Sequence, residues 1–142
     1  MIFYQVNVNC ERQTGEDNPC KVKESYLVPA TSCAEAERIV AQEIKPFVFG
    51  ECETPQIKKV QFFDVVRDKS ESQYFYQAKV EMITIDSDKE YRRNVNILIM
   101  ENSINGALVN LLNHLSSYDC EIISIKKTSI IDILNPEDYD LQ

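Results

Sequence analysis

The chain reads as an α+β protein: two fused β-β-α-β repeats forming a mainly antiparallel six-stranded sheet, with two helices covering one face. Three observations predict this. Phe3-Tyr4-Gln5-Val6 recurs as Phe75-Tyr76-Gln77-Ala78, and Ile57-Lys58-Lys59 followed by Asp64 recurs as Ile125-Lys126-Lys127 followed by Asp132. Apolar and polar residues alternate through paired extended runs, as half-buried strands require. A Ser-initiated helical stretch follows each pair of runs, near Ser32 and Ser103. Self-similarity of this kind points to a repeated architecture and a repeated surface. The halves are expected at about 1–68 and 73–135, sharing one core in a single domain, because about seventy residues is near the lower limit for independent folding.

Residues 2–10 place Tyr4, Val6 and Val8 on one face and Phe3, Gln5, Asn7 and Asn9 on the other. Glu11 to Pro19 is polar, with Gly15, Asp17 and Asn18, and reads as a hairpin loop. A second strand over 20–28 ends at Pro29. Thr31 or Ser32 caps the first helix, Ser32 and Glu35 having capping-box spacing. Ala34, Ala36, Ile39, Val40 and Ile44 then recur at helical spacing to about Lys45. Pro46, Gly50 and Pro55 punctuate the passage to a third strand over 56–66. In the second half, strands over 73–84 and 90–100 flank the turn Asp86-Ser87-Asp88-Lys89. Asn102 or Ser103 caps a helix striped with Leu108, Leu111, Leu112 and Leu115. A last strand spans 121–134, and Asn135-Pro136-Glu137-Asp138 begins a short acidic tail.

Alternation assigns the faces. Tyr4, Val6, Val8, Val22, Tyr26, Val28, Tyr76, Ala78, Val80, Val95, Ile97 and Ile99 form the side the helices cover. Phe3, Gln5, Asn7, Asn9, Lys21, Lys23, Ser25, Phe75, Gln77, Lys79, Glu81, Arg92, Asn94 and Asn96 face the other way. That outward face holds four cations, one anion, many amides and two rings. The runs 56–66 and 121–134 mix apolar and charged residues on both faces, so Lys58 and Lys59, and likewise Lys126 and Lys127, are equal candidates for the outward side.

The net charge is −8, which by itself disfavours nucleic acid. The six strands nevertheless carry nine Lys/Arg against six acids, a net +3, so the acidity lies in helices, loops and tail. The apolar runs fall well short of the roughly 18 residues needed to cross a bilayer, and no leader peptide is expected. Five cysteines in unpaired spacing predict free thiols in a reducing cytoplasm, with Cys10 and Cys20 able to meet across the first hairpin. A zinc site needs four Cys/His ligands, and with one histidine, His114, no metal or other cofactor is expected.

Lys21-Val22-Lys23-Glu24-Ser25-Tyr26-Leu27-Val28-Pro29-Ala30-Thr31-Ser32, running into Ala34-Glu35-Ala36-Glu37, resembles domain-of-unknown-function family 4494, found in gut Bacteroidetes and their tailed phages. Ile44-Lys45-Pro46-Phe47, Ile57-Lys58, and Tyr76-Gln77-Ala78-Lys79-Val80 with Ile83-Thr84 extend the likeness over nearly the whole chain. Phe3-Tyr4 stands where a Trp is expected. The resemblance implies a bacterial or phage cytoplasmic protein and brings no catalytic or ligand residues with it.

Single-stranded nucleic acid is held by cations that track phosphates and by rings that stack on bases. The leading expectation is therefore a non-enzymatic binding protein for single-stranded DNA or RNA. Its contact residues would be Phe3, Lys21, Lys23, Phe75, Lys79 and Arg92, with Lys58 or Lys59 and Lys126 or Lys127 at the flank. The alternative is a homo-oligomeric interaction module using the same sheet face, its rings packed on another subunit. A third reading gives Asp64 and Asp132 a magnesium ion for nuclease chemistry. The acidic tail is expected to recruit a protein partner or to aid solubility.

Overall fold

The computed structural model describes residues 1–12, 20–47, 49–67 and 74–134. It is an α+β fold with two helices and two four-stranded sheets. The strands are β1 (Ile2–Arg12), β2 (Cys20–Val28), β3 (Phe49–Gln61), β4 (Asp64–Val66), β5 (Tyr74–Asp86), β6 (Lys89–Glu101), β7 (Cys120–Lys127) and β8 (Ile130–Ile133). The helices are α1 (Cys33–Ile44), followed by a 3-10 turn over Lys45–Phe47, and α2 (Ile104–His114). The expected single six-stranded sheet is thus corrected to two sheets, ordered β3-β1-β2-β8 and β4-β6-β5-β7.

The correction has a local cause. The run expected as one strand over 56–66 ends at Gln61: Phe62 still exchanges backbone hydrogen bonds with Met1 beside β1, but the Phe63 amide donates to the Asn96 carbonyl of β6. The chain restarts at Asp64 as a short strand parallel to β6. The run over 121–134 likewise breaks after Lys127, where Thr128 donates from its amide and hydroxyl to the Phe75 carbonyl, and restarts as β8 parallel to β2. Each long run therefore supplies strands to two sheets, which is why neither showed a consistent apolar face.

The molecule divides into two compact units. One is built on Gln61–Thr128, the other on Ile2–Val60 with the β8 segment from Ser129. In the second, Val6, Val8, Cys10, Tyr26 and Val28 pack against Ala36, Ile39, Val40 and Ile44 of α1. In the first, Tyr76, Ala78, Val80, Met82, Ile97 and Ile99 pack against Ala107 and Leu111 of α2 and Leu115 beyond it. The alternation-derived core faces match these clusters, with each helix covering its own sheet.

Local chemistry sets the helix starts. The Ser32 hydroxyl accepts from the Glu35 amide at 3.1 Å, and the Ser103 hydroxyl from the Gly106 amide at 3.0 Å, satisfying amides that have no helical partner. Glu35 accepts in turn from the Thr31 hydroxyl and amide. These bonds hold the Glu35 carboxyl below its usual pKa. That contribution to α1 is present at neutral pH and is lost as the pH falls through the depressed value. Between β5 and β6, Ser87 and Asp88 take positive φ of 51° and 64°, the two-residue turn whose twist suits a hairpin.

Two substitutions test this packing in urea unfolding. Phe75→Ala, at a side chain only 1% exposed, is expected to lower stability by about 3–5 kcal/mol. Ser103→Ala is expected to cost about 1 kcal/mol through the lost cap. A Phe75→Ala cost below that of the cap would contradict the packing described.

Candidate functional site

The strand registers decide which sequence-assigned residues share a surface. Antiparallel pairing sets Asn7 opposite Ser25, Asn9 opposite Lys23 and Glu11 opposite Lys21. These side chains lie on the face of the β3-β1-β2-β8 sheet away from α1. The Asn7 side-chain amide donates to Gln56 Oε1 at 3.2 Å, so Gln56 of β3 shares that face. Ile57 packs into the α1 core, and alternation returns Lys58 to the Asn7 side while Lys59 follows Ile57. Lys58 is therefore the outward one of the pair.

A polar chain holds this surface in place. The Ser25 hydroxyl donates to Asn7 Oδ1 at 2.6 Å and lies 3.2 Å from the Ser129 hydroxyl, and the Ser25 amide donates to the Ser129 carbonyl. Ser25 is the buried polar side chain of the described core, and these bonds satisfy it. Lys21, Lys23 and Lys58 remain exposed around the network. The charge is mixed at one end, where a shallow depression is lined by Asn9, Glu11, Lys21, Lys23 and Glu53.

On the β4-β6-β5-β7 sheet, Lys79 stands opposite Asn96 and Ser124, and Gln77 opposite Lys126. Lys126 is thus the outward lysine of its pair. Lys127 turns to the other side and lies over the Tyr74 ring, 3.6 Å from its centroid. Arg92 is half-exposed but committed: its guanidinium binds Glu81 at 2.7 Å and Glu90 at 3.3 Å. The Glu81 hydrogen bond and then the Glu90 charge raise its pKa further. Arg92 braces the β5–β6 hairpin instead of presenting a free charge.

Phe3 and Phe75, expected to stack on bases, are 0% and 1% exposed. Neither ring offers a face to a ligand or to another subunit. Leu27, opposite Gln5, and Leu98, opposite Gln77, are also fully buried, so each outward sheet face is apolar at one end and polar at the other. Alternation finds the face of a residue, but not the point along a strand where solvent begins.

Asp64 and Asp132 have matching local roles. Each accepts from the amide of the next residue, Val65 or Ile133, at 2.8 Å. Asp64 also meets His114 Nε2 of α2 at 2.5 Å, a pairing that fifty residues of separation hid from sequence reading. Among the described residues, no group of three or more His, Cys, Asp or Glu side chains is arranged to hold a metal ion.

The cysteine expectation is corrected. Cys10 of β1 is disulfide-bonded to Cys52 of the neighbouring β3, with Cα atoms 4.5 Å apart. Cys10 therefore has a partner other than Cys20, and the argument for a reducing compartment loses its premise. Cys33 is free and exposed on α1. Cys120 is free and partly buried, and burial, then the Asp119 charge, raises its pKa. No helix is long and apolar enough to cross a membrane among the described residues. The acidic tail from Asn135 lies outside them.

The family described as Domain of unknown function (DUF4494) has a model that matches residues 2–137. Comparison with curated proteins and with solved structures finds no match to either.

Thiol chemistry tests the cysteine assignments. Peptide mapping under non-reducing conditions should recover a Cys10–Cys52 linked pair, and its reduction should cost about 2–4 kcal/mol of stability. Limited alkylation should label Cys33 before Cys120, because the thiolate reacts and the buried thiol forms less of it. Equal labelling rates would contradict the environment assigned to Cys120.

Proposed function

The chain belongs to the DUF4494 family, and from that premise we propose that it is a non-enzymatic protein that binds the backbone of single-stranded nucleic acid. The observation that carries this reading is the surface around Asn7. Three exposed lysines, Lys21, Lys23 and Lys58, surround amide and hydroxyl groups fixed by the Asn7–Gln56 and Asn7–Ser25 hydrogen bonds. Lysines neutralise phosphates as point charges, and fixed amides donate to phosphate and sugar oxygens. Lys79 and Lys126, with Gln77, Asn96 and Ser124, offer a similar composition on the other sheet.

With Phe3 and Phe75 buried, the proposed mode is backbone tracking with little base selectivity. Glu11 and Glu53 beside Lys21 and Lys23 weaken the field, so modest, strongly salt-dependent affinity follows. The rival reading, oligomerisation through the same sheet face, relied on those two rings and loses them. We further read the order β-β-α-β-β, which occurs twice, as an internal duplication, and place the protein in a bacterial or phage-infected cell, as the family resemblance suggests.

Fluorescence anisotropy with a labelled oligothymidylate tests the proposal. The slope of log affinity against log salt should flatten by about 0.7 for each of Lys23→Ala and Lys58→Ala. Arg92→Ala should leave the slope unchanged, because that guanidinium is already engaged by Glu81 and Glu90. Absence of binding at about 50 mM salt would overturn the reading.

A further inference from the structure

We propose that a notch at the β6 edge of the β4-β6-β5-β7 sheet is a pocket for one unstacked nucleotide of a single strand. Phe63 is the ring on which its base stacks, and Arg93 is the contact to its phosphate. The proposal rests on the nucleic-acid reading above and adds a base contact to it. The notch arises where the chain enters β4. The Phe63 amide donates to the Asn96 carbonyl at 2.7 Å, and β4 then pairs with β6 only from Ile97 onward. Before that point a depression of about 450 Å³ is lined by Gln61, Phe63, Arg93, Asn94, Val95 and Asn96, a volume within the range of small-ligand sites.

Phe62 and Phe63 differ sharply in exposure. Phe62 is 3% exposed, whereas Phe63 keeps 37% of its surface in solvent. Tyr118 meets the Phe63 ring nearly at right angles, at 84° with centroids 5.8 Å apart. A perpendicular contact covers at most one face of a ring, so Tyr118 steadies Phe63 and leaves it a face for a base.

The other groups supply what a nucleotide needs. Gln61, Asn94 and Asn96 are exposed, and each side-chain amide carries donors and an acceptor. None of the three has a side-chain hydrogen bond among the described residues. Arg93 is likewise exposed and joins no ion pair there, unlike Arg92, which Glu81 and Glu90 engage. A free guanidinium beside an accessible ring and three amides fits an anion that carries a planar heterocycle. The guanidinium takes the phosphate oxygens, the ring takes the base face, and the amides take its polar edge. An acidic peptide would engage Arg93 but leave the ring and the amides without a planar partner.

The notch also continues the polar row of the same sheet. Asn96 stands opposite Lys79, and Lys79 opposite Ser124. A strand whose base enters the notch can therefore lay its next phosphate toward Lys79, one strand spacing of about 4.8 Å away. Stacking tolerates every base, because each has a π-face, so the pocket adds affinity without sequence selectivity.

The test compares two labelled oligomers of equal length by fluorescence anisotropy at about 50 mM salt. One is oligothymidylate, and the other is an abasic oligomer with the same phosphates but no bases. The unmodified protein should bind oligothymidylate about 5- to 150-fold more tightly, the range for one stacked base. Phe63→Ala should remove that preference and leave affinity for the abasic oligomer unchanged, while Phe63→Tyr should retain it. Arg93→Ala should flatten the salt slope for oligothymidylate by about 0.7. Phe63→Leu keeps apolar bulk toward Tyr118 without a ring, and decides the matter if Phe63→Ala folds poorly. Equal affinity of the unmodified protein for the two oligomers, or a preference that survives in both ringless variants, would overturn the pocket and leave backbone binding standing. Binding of neither oligomer would overturn the nucleic-acid reading and the pocket with it.

Discussion

Register is the constraint on which both sheets depend. In an antiparallel pair, a slip of one residue turns every side chain onto the opposite face. β5 and β6 pair without interruption from Tyr74 opposite Glu101 to Asp86 opposite Lys89, and the two-residue turn at Ser87-Asp88 anchors that alignment. Shifted by one, Ala78 and Ile97 would leave α2, and Arg92 would lose its diagonal reach to Glu81. β1 and β2 depend in the same way on Tyr4 opposite Val28 through Arg12 opposite Cys20. The two helix-covered cores and the outward facing of Lys21, Lys23 and Lys79 follow from these two alignments.

Polar groups on these sheets are held in one of two ways. Some are consumed locally: Arg92 by Glu81 and Glu90, Asp64 by His114 and the Val65 amide, Lys127 by the Tyr74 ring. Others are fixed but left accessible, as with Asn7 and Gln56 beside Lys23 and Lys58. Exposed ion pairs contribute little stability, so the first set chiefly orients strands and connections. The second set is the one with chemistry to offer a ligand.

Much of the local structure was legible in the residues. Alternation separated Val6, Val8, Ala78, Val80, Ile97 and Ile99 from the outward amides and lysines, and Ser32 and Ser103 marked both helix starts. The two-sheet arrangement was not legible, because the switches at Phe62-Phe63 and Thr128-Ser129 contain neither glycine nor proline and are made by backbone hydrogen bonds to residues far along the chain, Phe63 to Asn96 and Ser25 to Ser129. For the candidate site, Lys21, Lys23 and Lys79 were placed on the correct face. Alternation carries no information on depth, so Phe3 looked like a binding ring when it is a core residue. The Cys10–Cys52 bond was hidden for a related reason: it joins β1 to a strand whose start at Phe49 was expected several residues later.

The parallel strands β4 and β8 bear on how the protein is made. β2 lies beside β8, a segment more than a hundred residues further along the chain. During synthesis, β1 and β2 leave the ribosome early and can pair, yet the β2 edge stays open until the last strand emerges. An open strand edge invites pairing with other chains, and long-range contacts slow folding because the intervening chain must be closed. The sheet begun first is thus finished last, and its exposed edge must be kept from the wrong neighbours while the residues between β2 and β8 are made.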